Sequence, residues 1–312
     1  MRILYKYMPL RDSFFDDPLL RLTPPSGLND PFDSKPTQAG VEKKLKFFFD
    51  ERDEFKDTDP KSVSIRAAYE RDLKTGLDQF GIISLTEDPY NLLMWSHYAN
   101  EHRGLVVSIL CDSSTFDYHH NFTETCGVSK TKPTRVRYSN VRPGYQMPDS
   151  TIYEYFEHNF YTHFAMIKGN DWIYEKEYRY LLRLMEADVA IVDVNFASWA
   201  NSQGADFRIT HLHGKTYKVE ASCVEKRDSL PWLLAFAQGR KNISNVMLFK
   251  RLRKNSVKGI YFGCRVSGRD ILKAREKIEE NPLFGNSISF HRSIESQDRF
   301  EITFERLESS SN

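Results

Sequence analysis

The sequence predicts an α+β protein, and three observations support that prediction. Short runs rich in β-branched residues, such as residues 105–110, are typical of buried strands. Longer segments repeat apolar residues every three or four positions, as in helices with one buried face. Turn-forming residues concentrate at residues 24–33, where they predict a loop after the first strand. Strands and helices are therefore interspersed along one chain.

In the first half of the chain, strands are predicted at residues 3–7, 81–86 and 105–110 from their apolar and β-branched composition. Residues 41–80 alternate charged residues with aromatics and alanines, and Asp59-Pro60 interrupts the pattern. We therefore expect two helices in a helical insert at about residues 40–80. Glu87, Asp88 and Pro89 indicate the start of a helix that continues through residues 91–100.

In the second half, residues 111–150 read as a basic loop that contains one short strand at residues 135–138. Residues 151–167 place aromatic side chains at three- and four-residue spacing, which predicts a helix with one buried face. Helices are also predicted at residues 229–239 and 268–280. The remaining strands are predicted at residues 190–194, 217–219, 258–263, 287–291 and 299–304.

Composition limits the kind of protein to be expected. Of 312 residues, 40% are hydrophobic and 13% aromatic, as in a globular protein, and we expect one elaborated domain over residues 1–307 with a disordered tail at 308–312. Lys plus Arg number 44 against 43 Asp plus Glu, so the net charge gives no general case for nucleic-acid binding. The absence of a signal-peptide pattern and of a membrane-length apolar run predicts a cytoplasmic protein.

The four cysteines are widely spaced and form no CxxC pair, which indicates reduced thiols rather than disulfides or a zinc knuckle. Close histidine pairs occur at residues 119–120 and at 211 and 213, but no HExxH, paired CxxC or EF-hand loop accompanies them, so we expect no metal site. The sequence also lacks a Walker loop, a GxGxxG motif after a strand and a GxSxG elbow. Kinase, dehydrogenase and hydrolase functions therefore lose their usual support.

The segment at residues 172–179 contains two glutamates between aromatic residues. If it is a strand, Glu175, Glu177 and Arg179 share one side and the aromatics line the other. Such a charged row is usually solvated, and the aromatic spacing also fits a helix. The pattern alone leaves a catalytic pair, a solvated strand face and a helix open.

Other candidate residues carry weaker signals. Ser84 and Thr86 share a face of the predicted strand, where hydroxyls can hold a ligand or cap a turn. His97 and Tyr98 lie on the following helix, where a histidine is more often structural. The basic loop suits a phosphate backbone with a stacked base, although a solvated loop is the simpler interpretation. Its candidate nucleic-acid-binding residues are Lys130, Lys132, Arg135, Arg137 and Arg142. A second basic cluster, at residues 250–258, also favours an anionic partner slightly.

Five segments, taken in order, resemble the bacterial family known as domain of unknown function 2971. They are LYKY, LTPPSGLNDPFD, ISLTEDPYNLLMWSHYANEHRGLVVSI, WIYEKEYR and KGIYFGCRVS. That family in turn resembles the ADP-ribosyltransferase superfamily, whose split mixed β-structure binds NAD in a cleft. Its members carry an aromatic, Arg or His on the first strand, hydroxyls on the next and E-x-E on a later strand. Here residues 5–7, 84–86 and 175–177 occur in that order, whereas the helical insert and basic loop depart from the family pattern.

The resemblance implies an NAD-dependent ADP-ribosyltransferase that modifies RNA or protein, with RNA slightly preferred, and that acts as a toxin or antiphage effector with an antitoxin partner. It assigns Glu177 to the ribose and its developing positive charge, and Glu175 to the acceptor nucleophile. Arg179 would hold a phosphate. The other NAD contacts implied are Tyr5, Tyr7, Ser84, Thr86, Trp95, His97 and Tyr98. Two alternatives stay open: a noncatalytic nucleic-acid- or protein-binding module, and a metal-independent ribonuclease that uses His97 with the two glutamates.

Overall fold

The computed structural model of the protein describes residues 2–50, 60–118, 131–142, 144, 160–239 and 246–308, with the side chains of residues 50 and 235–239 left aside. The predicted α+β class is confirmed, because several sheets and helices occur together. Among the helices in these ranges, none has both the length and the apolar character required to cross a bilayer.

The strands in these ranges are β1 Arg2–Met8, β2 Leu19–Leu22, β3 Phe80–Thr86, β4 Leu105–Cys111, β5 Thr134–Arg135, β6 Arg137–Ser139, β7 Ile167–Gly169, β8 Glu177–Arg183, β9 Val189–Asp193, β10 Phe207–His213, β11 Thr216–Ala221, β12 Met247–Arg251, β13 Val257–Phe262, β14 Ser289–Glu295 and β15 Ile302–Leu307. The helices are α1 Asp12–Asp16, α2 Gln38–Asp50, α3 Pro60–Thr75, α4 Leu92–Tyr98, α5 Val194–Ser202, α6 Ser229–Gly239 and α7 Gly268–Glu280, and residues 160–165 are also helical.

In the part of the chain that the structure describes, the strands form a large sheet, a small sheet and a two-stranded parallel sheet of β6 and β7. The large sheet has eight strands in the order β15-β14-β13-β4-β1-β3-β8-β5, and its β13 and β14 run parallel. The small sheet is antiparallel, in the order β10-β11-β9-β12-β2. β1 pairs with β4 along its whole length but with β3 at one register position, Tyr5 opposite Thr86. The large sheet therefore opens between β1 and β3.

The two sheets share one hydrophobic core. Leu4 and Ile83 of the large sheet belong to the same buried cluster as Leu22 and Val192 of the small sheet. The two sheets lie close together at Gly81, where an added Cβ would lie 2.5 Å from Leu22 Cβ. Glycine at this position lets β2 pass directly over β3.

Helices cover the other face of the large sheet in two places. α2 and α3, which lie in the predicted helical insert, pack Val41 and Leu73 into a cluster with Ile82 of β3 and Leu181 of β8. α4 places Trp95 in a second cluster that includes residues of β1, β4 and β15. These two layers fix the positions of β8 and β1 on either side of the opening.

Several element predictions are confirmed, among them the strands at 3–7, 81–86, 105–110, 217–219 and 258–263 and the helices at 229–239 and 268–280. The predicted helix start at residues 87–89 is wrong. α4 begins at Leu92, because the Asn91 side chain accepts a hydrogen bond from the Met94 N–H and caps the helix there. The predicted helix at 151–167 is confirmed at residues 160–165, but its end is wrong, since Ile167 starts β7; residues 151–159 lie outside the described ranges.

The basic cluster at 250–258 requires a correction. Lys250 is completely buried in β12 and donates hydrogen bonds to the Glu186 carbonyl and to Asp188, so it cannot meet an anionic partner. Arg251 pairs with Asp17 and Glu220. Cys111, Cys223 and Cys264 are free thiols, and Cys126 lies outside the described ranges, as do residues 309–312 of the predicted tail.

Candidate active site

A cleft of about 240 Å³ lies where β1 and β3 separate. β1 contributes Tyr5, Lys6 and Tyr7 to its lining, and β3 contributes Ser84 and Leu85. The loop at residues 27–33, helix α4 and the start of β8 complete the walls. The cleft therefore joins the segments that the resemblance selected in the sequence.

The two glutamates reach this cleft from different elements. Asn170–Glu175 form a 3₁₀ turn, Lys176 is left-handed with φ 46° and ψ 48°, and β8 begins at Glu177. The prediction that Glu175 and Glu177 stand on one strand is therefore wrong, as is the helical alternative. Their carboxylates nevertheless meet at one ammonium group, because Lys168 Nζ lies 2.6 Å from Glu175 Oε2 and 3.3 Å from Glu177 Oε2.

The solvated interpretation of this charged row is also wrong. Glu175 is 4% exposed, Glu177 3% and Arg179 0%. Burial of unpaired charges costs several kcal/mol per ion, so such groups persist only in dense networks of ion pairs and hydrogen bonds. The partners in this network are Lys168 and Asp33, both of which are buried.

Glu177 is held as an ionised carboxylate. Arg179 donates to both of its oxygens, from Nε to Oε1 at 2.8 Å and from Nη2 to Oε2 at 2.9 Å. Burial would raise the pKa of Glu177, but the charges of Arg179 and Lys168 outweigh burial and lower the pKa to about 2. The carboxylate therefore keeps its negative charge at neutral pH.

Arg179 has little capacity left for a ligand. Its guanidinium also donates to Asp33 Oδ1 at 2.8 Å, to Asp33 Oδ2 at 2.5 Å, to Ser34 Oγ at 3.1 Å and to the Ala165 carbonyl at 2.7 Å. A phosphate contact would have to break one of these bonds inside the protein. The structure therefore revises the expected role of Arg179 from phosphate ligand to the group that positions Glu177.

Glu175 has a different environment. Its Oε1 accepts a hydrogen bond of 2.6 Å from the Tyr98 hydroxyl, and Asn29 Nδ2 donates to that hydroxyl at 3.0 Å. Burial raises the pKa of Glu175, and the neighbouring charge of Glu177 adds to this effect, so that the opposing influence of Lys168 is overcome. The pair is therefore asymmetric: one carboxylate is held ionised and the other is shifted toward its protonated form.

Three charged residues of the site were missed by the sequence reasoning. Lys6 donates from Nζ to the Ser84 carbonyl at 2.8 Å, and burial lowers its pKa. Lys168 and Asp33 link the two glutamates to Arg179. Asp33 stands in the segment LNDPFD and Lys6 between two selected tyrosines, so both carried a signal; Lys168 belongs to no motif.

Besides Arg179, four of the expected NAD contacts line the cleft, namely Tyr5, Tyr7, Ser84 and Tyr98. Tyr5 and Ser84 are half-buried and offer a ring and a hydroxyl. Tyr7 is only 5% exposed and donates from its hydroxyl to the Asp88 carbonyl at 2.9 Å. Direct ring contact with a ligand is therefore more accessible to Tyr5 than to Tyr7.

The structure does not bring the other three expected contacts into the cleft. Trp95 is completely buried, donates to the Pro89 carbonyl and packs edge-on against Tyr7, so its expected stacking role is wrong. Thr86 is 1% exposed and accepts from the Asp88 N–H, which is the turn role. His97 is exposed on α4 and is not among the residues that line the cleft.

The basic loop touches the site directly. The Glu177 N–H donates to the Tyr138 hydroxyl at 2.8 Å, and the Val136 N–H donates to the Glu177 carbonyl at 2.9 Å. Burial raises the pKa of Tyr138 to about 12, so the phenol stays neutral. Four of the five candidate cations are exposed on this loop, namely Lys132, Arg135, Arg137 and Arg142. The fifth, Lys130, lies outside the described ranges.

Within the described ranges, no group of three or more His, Cys, Asp or Glu is placed to hold a metal ion.

Fold and site together define an α+β protein with an asymmetric, buried glutamate pair beside an open sheet. A family model described as a protein of unknown function (DUF2971) matches residues 94–180, which run from α4 to β8 and include both glutamates. The match supports the predicted resemblance to this family over that segment. Comparisons with curated proteins and with solved structures found no match.

Proposed function

We propose that the protein is an ADP-ribosyltransferase that cleaves NAD and transfers ADP-ribose to a macromolecule, with Glu177 as the principal catalytic residue. The observation that carries the proposal is the pair of glutamates with opposite pKa shifts at the mouth of an open sheet. The neighbouring order β1-β3-β8 also agrees with the split arrangement expected of that superfamily.

Glu177 supplies the electrostatic stabilisation. Loss of nicotinamide develops positive charge on the ribose, and the electron pair of the broken bond leaves with the nicotinamide nitrogen. A carboxylate with a pKa of about 2 is ionised at every physiological pH. Arg179 fixes both oxygens of Glu177, so the carboxylate is already in place when the bond to nicotinamide breaks. Such preorganised charge is the condition for strong stabilisation of a transition state.

Glu175 acts on the acceptor. As the acceptor nucleophile bonds to the ribose carbon it must lose a proton, and a carboxylate with a raised pKa is the better proton acceptor of the pair. The Tyr98 hydroxyl and Lys168 Nζ hold Glu175 in position for this step. The sum of the reaction is NAD plus acceptor giving ADP-ribosyl acceptor, nicotinamide and one proton.

The cleft suits one end of NAD. The ring of Tyr5 and the hydroxyl of Ser84 match a nicotinamide ring and a ribose or amide group. Lys6, whose Nζ donates to the Ser84 carbonyl, lines the cleft and is the basic side chain placed to contact a phosphate in place of Arg179. A volume of about 240 Å³ falls below the roughly 300–1,000 Å³ of most whole-ligand pockets, so it fits the nicotinamide riboside end alone.

RNA is the preferred acceptor, because the basic loop defined above is hydrogen-bonded to Glu177 through Tyr138 and Val136. A toxin or antiphage role and an antitoxin partner follow from the resemblance alone.

One observation favours a noncatalytic binding module as the second candidate function. Both oxygens of Glu177 are already bonded to cations, as in a purely structural network.

The test is nicotinamide release by purified protein incubated with NAD and cell extract. We expect Glu177→Gln to reduce release by about 10²–10³-fold, the usual loss when one preorganised electrostatic group is removed. Glu305→Gln, which changes an exposed glutamate on β15, should match the wild type. Toxicity in cells should disappear with activity. A Glu177→Gln protein that folds and releases nicotinamide at the wild-type rate would falsify the catalytic assignment, and RNA shortened without label from NAD would indicate the ribonuclease.

A further inference from the structure

A second groove, of about 450 Å³, adjoins the cleft. Asp33 and Lys168 contribute to the walls of both cavities, so the groove begins at the charge network that holds the glutamates. Its volume lies within the range of ordinary ligand sites. None of the roles given above to the glutamates uses this groove.

Aromatic rings line the groove from two elements. Phe32, in the loop before α2, is 63% exposed. Trp172 is half-buried in the 3₁₀ turn that leads into Glu175. A single exposed aromatic ring is common on protein surfaces, but two in one concave site next to a charge network indicate a binding surface.

Cations accompany both rings. The Arg142 guanidinium carbon lies 5.7 Å from the centre of the Phe32 ring, and Lys168 Nζ lies 4.6 Å from the centre of the Trp172 ring. Arg142 also donates to the Lys35 carbonyl at 2.9 Å, and the exposed Lys35 is the second cation at the rim, whereas Lys168 is buried at the base of the groove. Arg142 belongs to the basic loop, so one of the positive charges of that loop lies at the groove.

Amides and carboxylates also line the groove, and the carboxylates are those of Asp30, Asp33 and Asp171. Asn140 and Asn170 both border the groove, and each amide offers donors and an acceptor. Exposed aromatic rings, cations at the rim and amide groups are the combination with which proteins stack unpaired bases, neutralise phosphates and bond base edges. An apolar peptide would offer no hydrogen-bonding groups to these amides and no negative charge to the exposed Arg142 and Lys35.

We propose that this groove binds a nucleobase of single-stranded RNA, with Phe32 as the stacking ring and Arg142 as the phosphate contact. The binding itself stands on the groove alone; the further statement that this RNA is the acceptor rests on the proposed function. Because the groove and the cleft share Lys168, a base held here lies next to the carboxylate that accepts the nucleophile's proton.

The first experiment measures binding of a fluorescent single-stranded RNA of mixed sequence by anisotropy, without NAD. Phe32→Ala should weaken binding about tenfold, as expected for the loss of one stacked base. Arg142→Ala should reduce the slope of log K against log salt by about 0.7, the value for one phosphate on a single strand. The matched controls are Phe300→Ala and Arg299→Ala, an exposed aromatic and an exposed cation next to β15 at the opposite edge of the large sheet from β5.

The result that supports the inference is weaker RNA binding by the two groove variants with no change in the controls. Equal binding by all variants overturns it, and so does tighter binding of single-stranded DNA than of RNA. The second experiment measures nicotinamide release without RNA, for which Phe32→Ala should leave the KM for NAD unchanged while label transfer to RNA falls. If Phe32→Ala raises the KM for NAD, the groove holds NAD itself. If Phe32→Ala reduces the transfer of label to proteins but not to RNA, the acceptor is a protein. Both outcomes contradict the inference.

The two proposals fail separately. If the wild type releases no nicotinamide but its RNA binding still depends on Phe32 and Arg142, the proposed function is wrong and the nucleobase site stands. If nicotinamide release depends on Glu177 while Phe32→Ala and Arg142→Ala leave RNA binding unchanged, the proposed enzymatic function is supported and the proposed nucleobase site is wrong.

Discussion

Two glutamates separated by one residue have opposite pKa shifts in this protein. Glu177 receives two hydrogen bonds from Arg179, whereas Glu175 receives one from the neutral Tyr98 hydroxyl and one from Lys168. Both are buried, so desolvation acts on each in the same direction, and the contact with the guanidinium decides the difference. The environment, rather than the residue type, therefore sets the difference in pKa between the two glutamates.

This asymmetry predicts a pH dependence of transfer. The raised pKa of Glu175 means that its base form is lost, as pH falls, at a higher pH than for an ordinary glutamate. Transfer of ADP-ribose should therefore decline on the acid side while Glu177, with a pKa of about 2, is still ionised. The measurement is the rate of label transfer from NAD to RNA across pH, in which Glu175→Gln should lower the rate and remove the acid limb. A wild-type rate independent of pH through the acid range contradicts the base role.

The sequence could indicate the glutamates but not their environment. The E-x-E segment and its order after SLT are enough to select Glu175, Glu177 and Ser84 from the amino-acid sequence alone. The partners of the pair could not be found in that way, because Asp33 contacts Arg179 across 146 residues of chain. Contacts at such separation depend on the packing of whole elements and leave no local pattern.

The junction between the 3₁₀ turn and β8 decides how the glutamates are presented. Lys176 has φ 46°, a conformation that costs a non-glycine residue about 1–3 kcal/mol. This residue turns the chain so that Glu175 and Glu177 approach Lys168 from two elements instead of one. The left-handed residue is thus the reason why strand periodicity misassigned Glu175.

We expect Lys176→Ile to lower the free energy of unfolding by about 1–3 kcal/mol relative to Lys176→Gly, because a β-branched residue tolerates positive φ poorly. Both variants lose the exposed ion pair between Lys176 and Asp88, so the difference between them isolates the backbone. Urea denaturation measures it, and nicotinamide release should fall in the isoleucine variant as the carboxylates move. Equal stability of the two variants would show that the turn carries no strain.

Other elements explain where sequence patterns succeed. Strands β3 and β4 carry β-branched runs and were predicted, because both of their faces are buried. Strand β12 was missed because Lys250 and Arg251 made it read as a basic cluster. Their acidic partners lie far away in sequence, with Asp17 separated from Arg251 by 234 residues.

At the scale of the whole molecule, the packing of the two sheets requires a glycine at position 81. Gly81 on β3 leaves room for Leu22 of β2, and the bridge between Thr23 and Ile82 adjoins this contact. Thr23 also lines the cleft, so the packing of the sheets helps to set one of its walls. The small sheet therefore supports the site although it supplies no charged group to it.

Gly81→Ala should lower the free energy of unfolding by about 1–3 kcal/mol, since the added methyl group would overlap Leu22 and force the sheets apart. The control is Gly268→Ala at the start of α7, where an added Cβ meets no atom within 4 Å, and its stability should stay near that of the wild type. Urea denaturation of both variants tests the prediction. A Gly81→Ala protein as stable as the control would mean that the sheets can separate without cost.

The cleft, the groove and the basic loop adjoin one another around the two glutamates. The most direct test of the catalytic claim is the mass of RNA and protein after incubation with the purified protein and isotope-labelled NAD. We expect the wild type to add a labelled ADP-ribose increment, to RNA in preference to protein, and Glu177→Gln to add none. Intact NAD and unmodified RNA and protein after incubation with the folded wild type would contradict it.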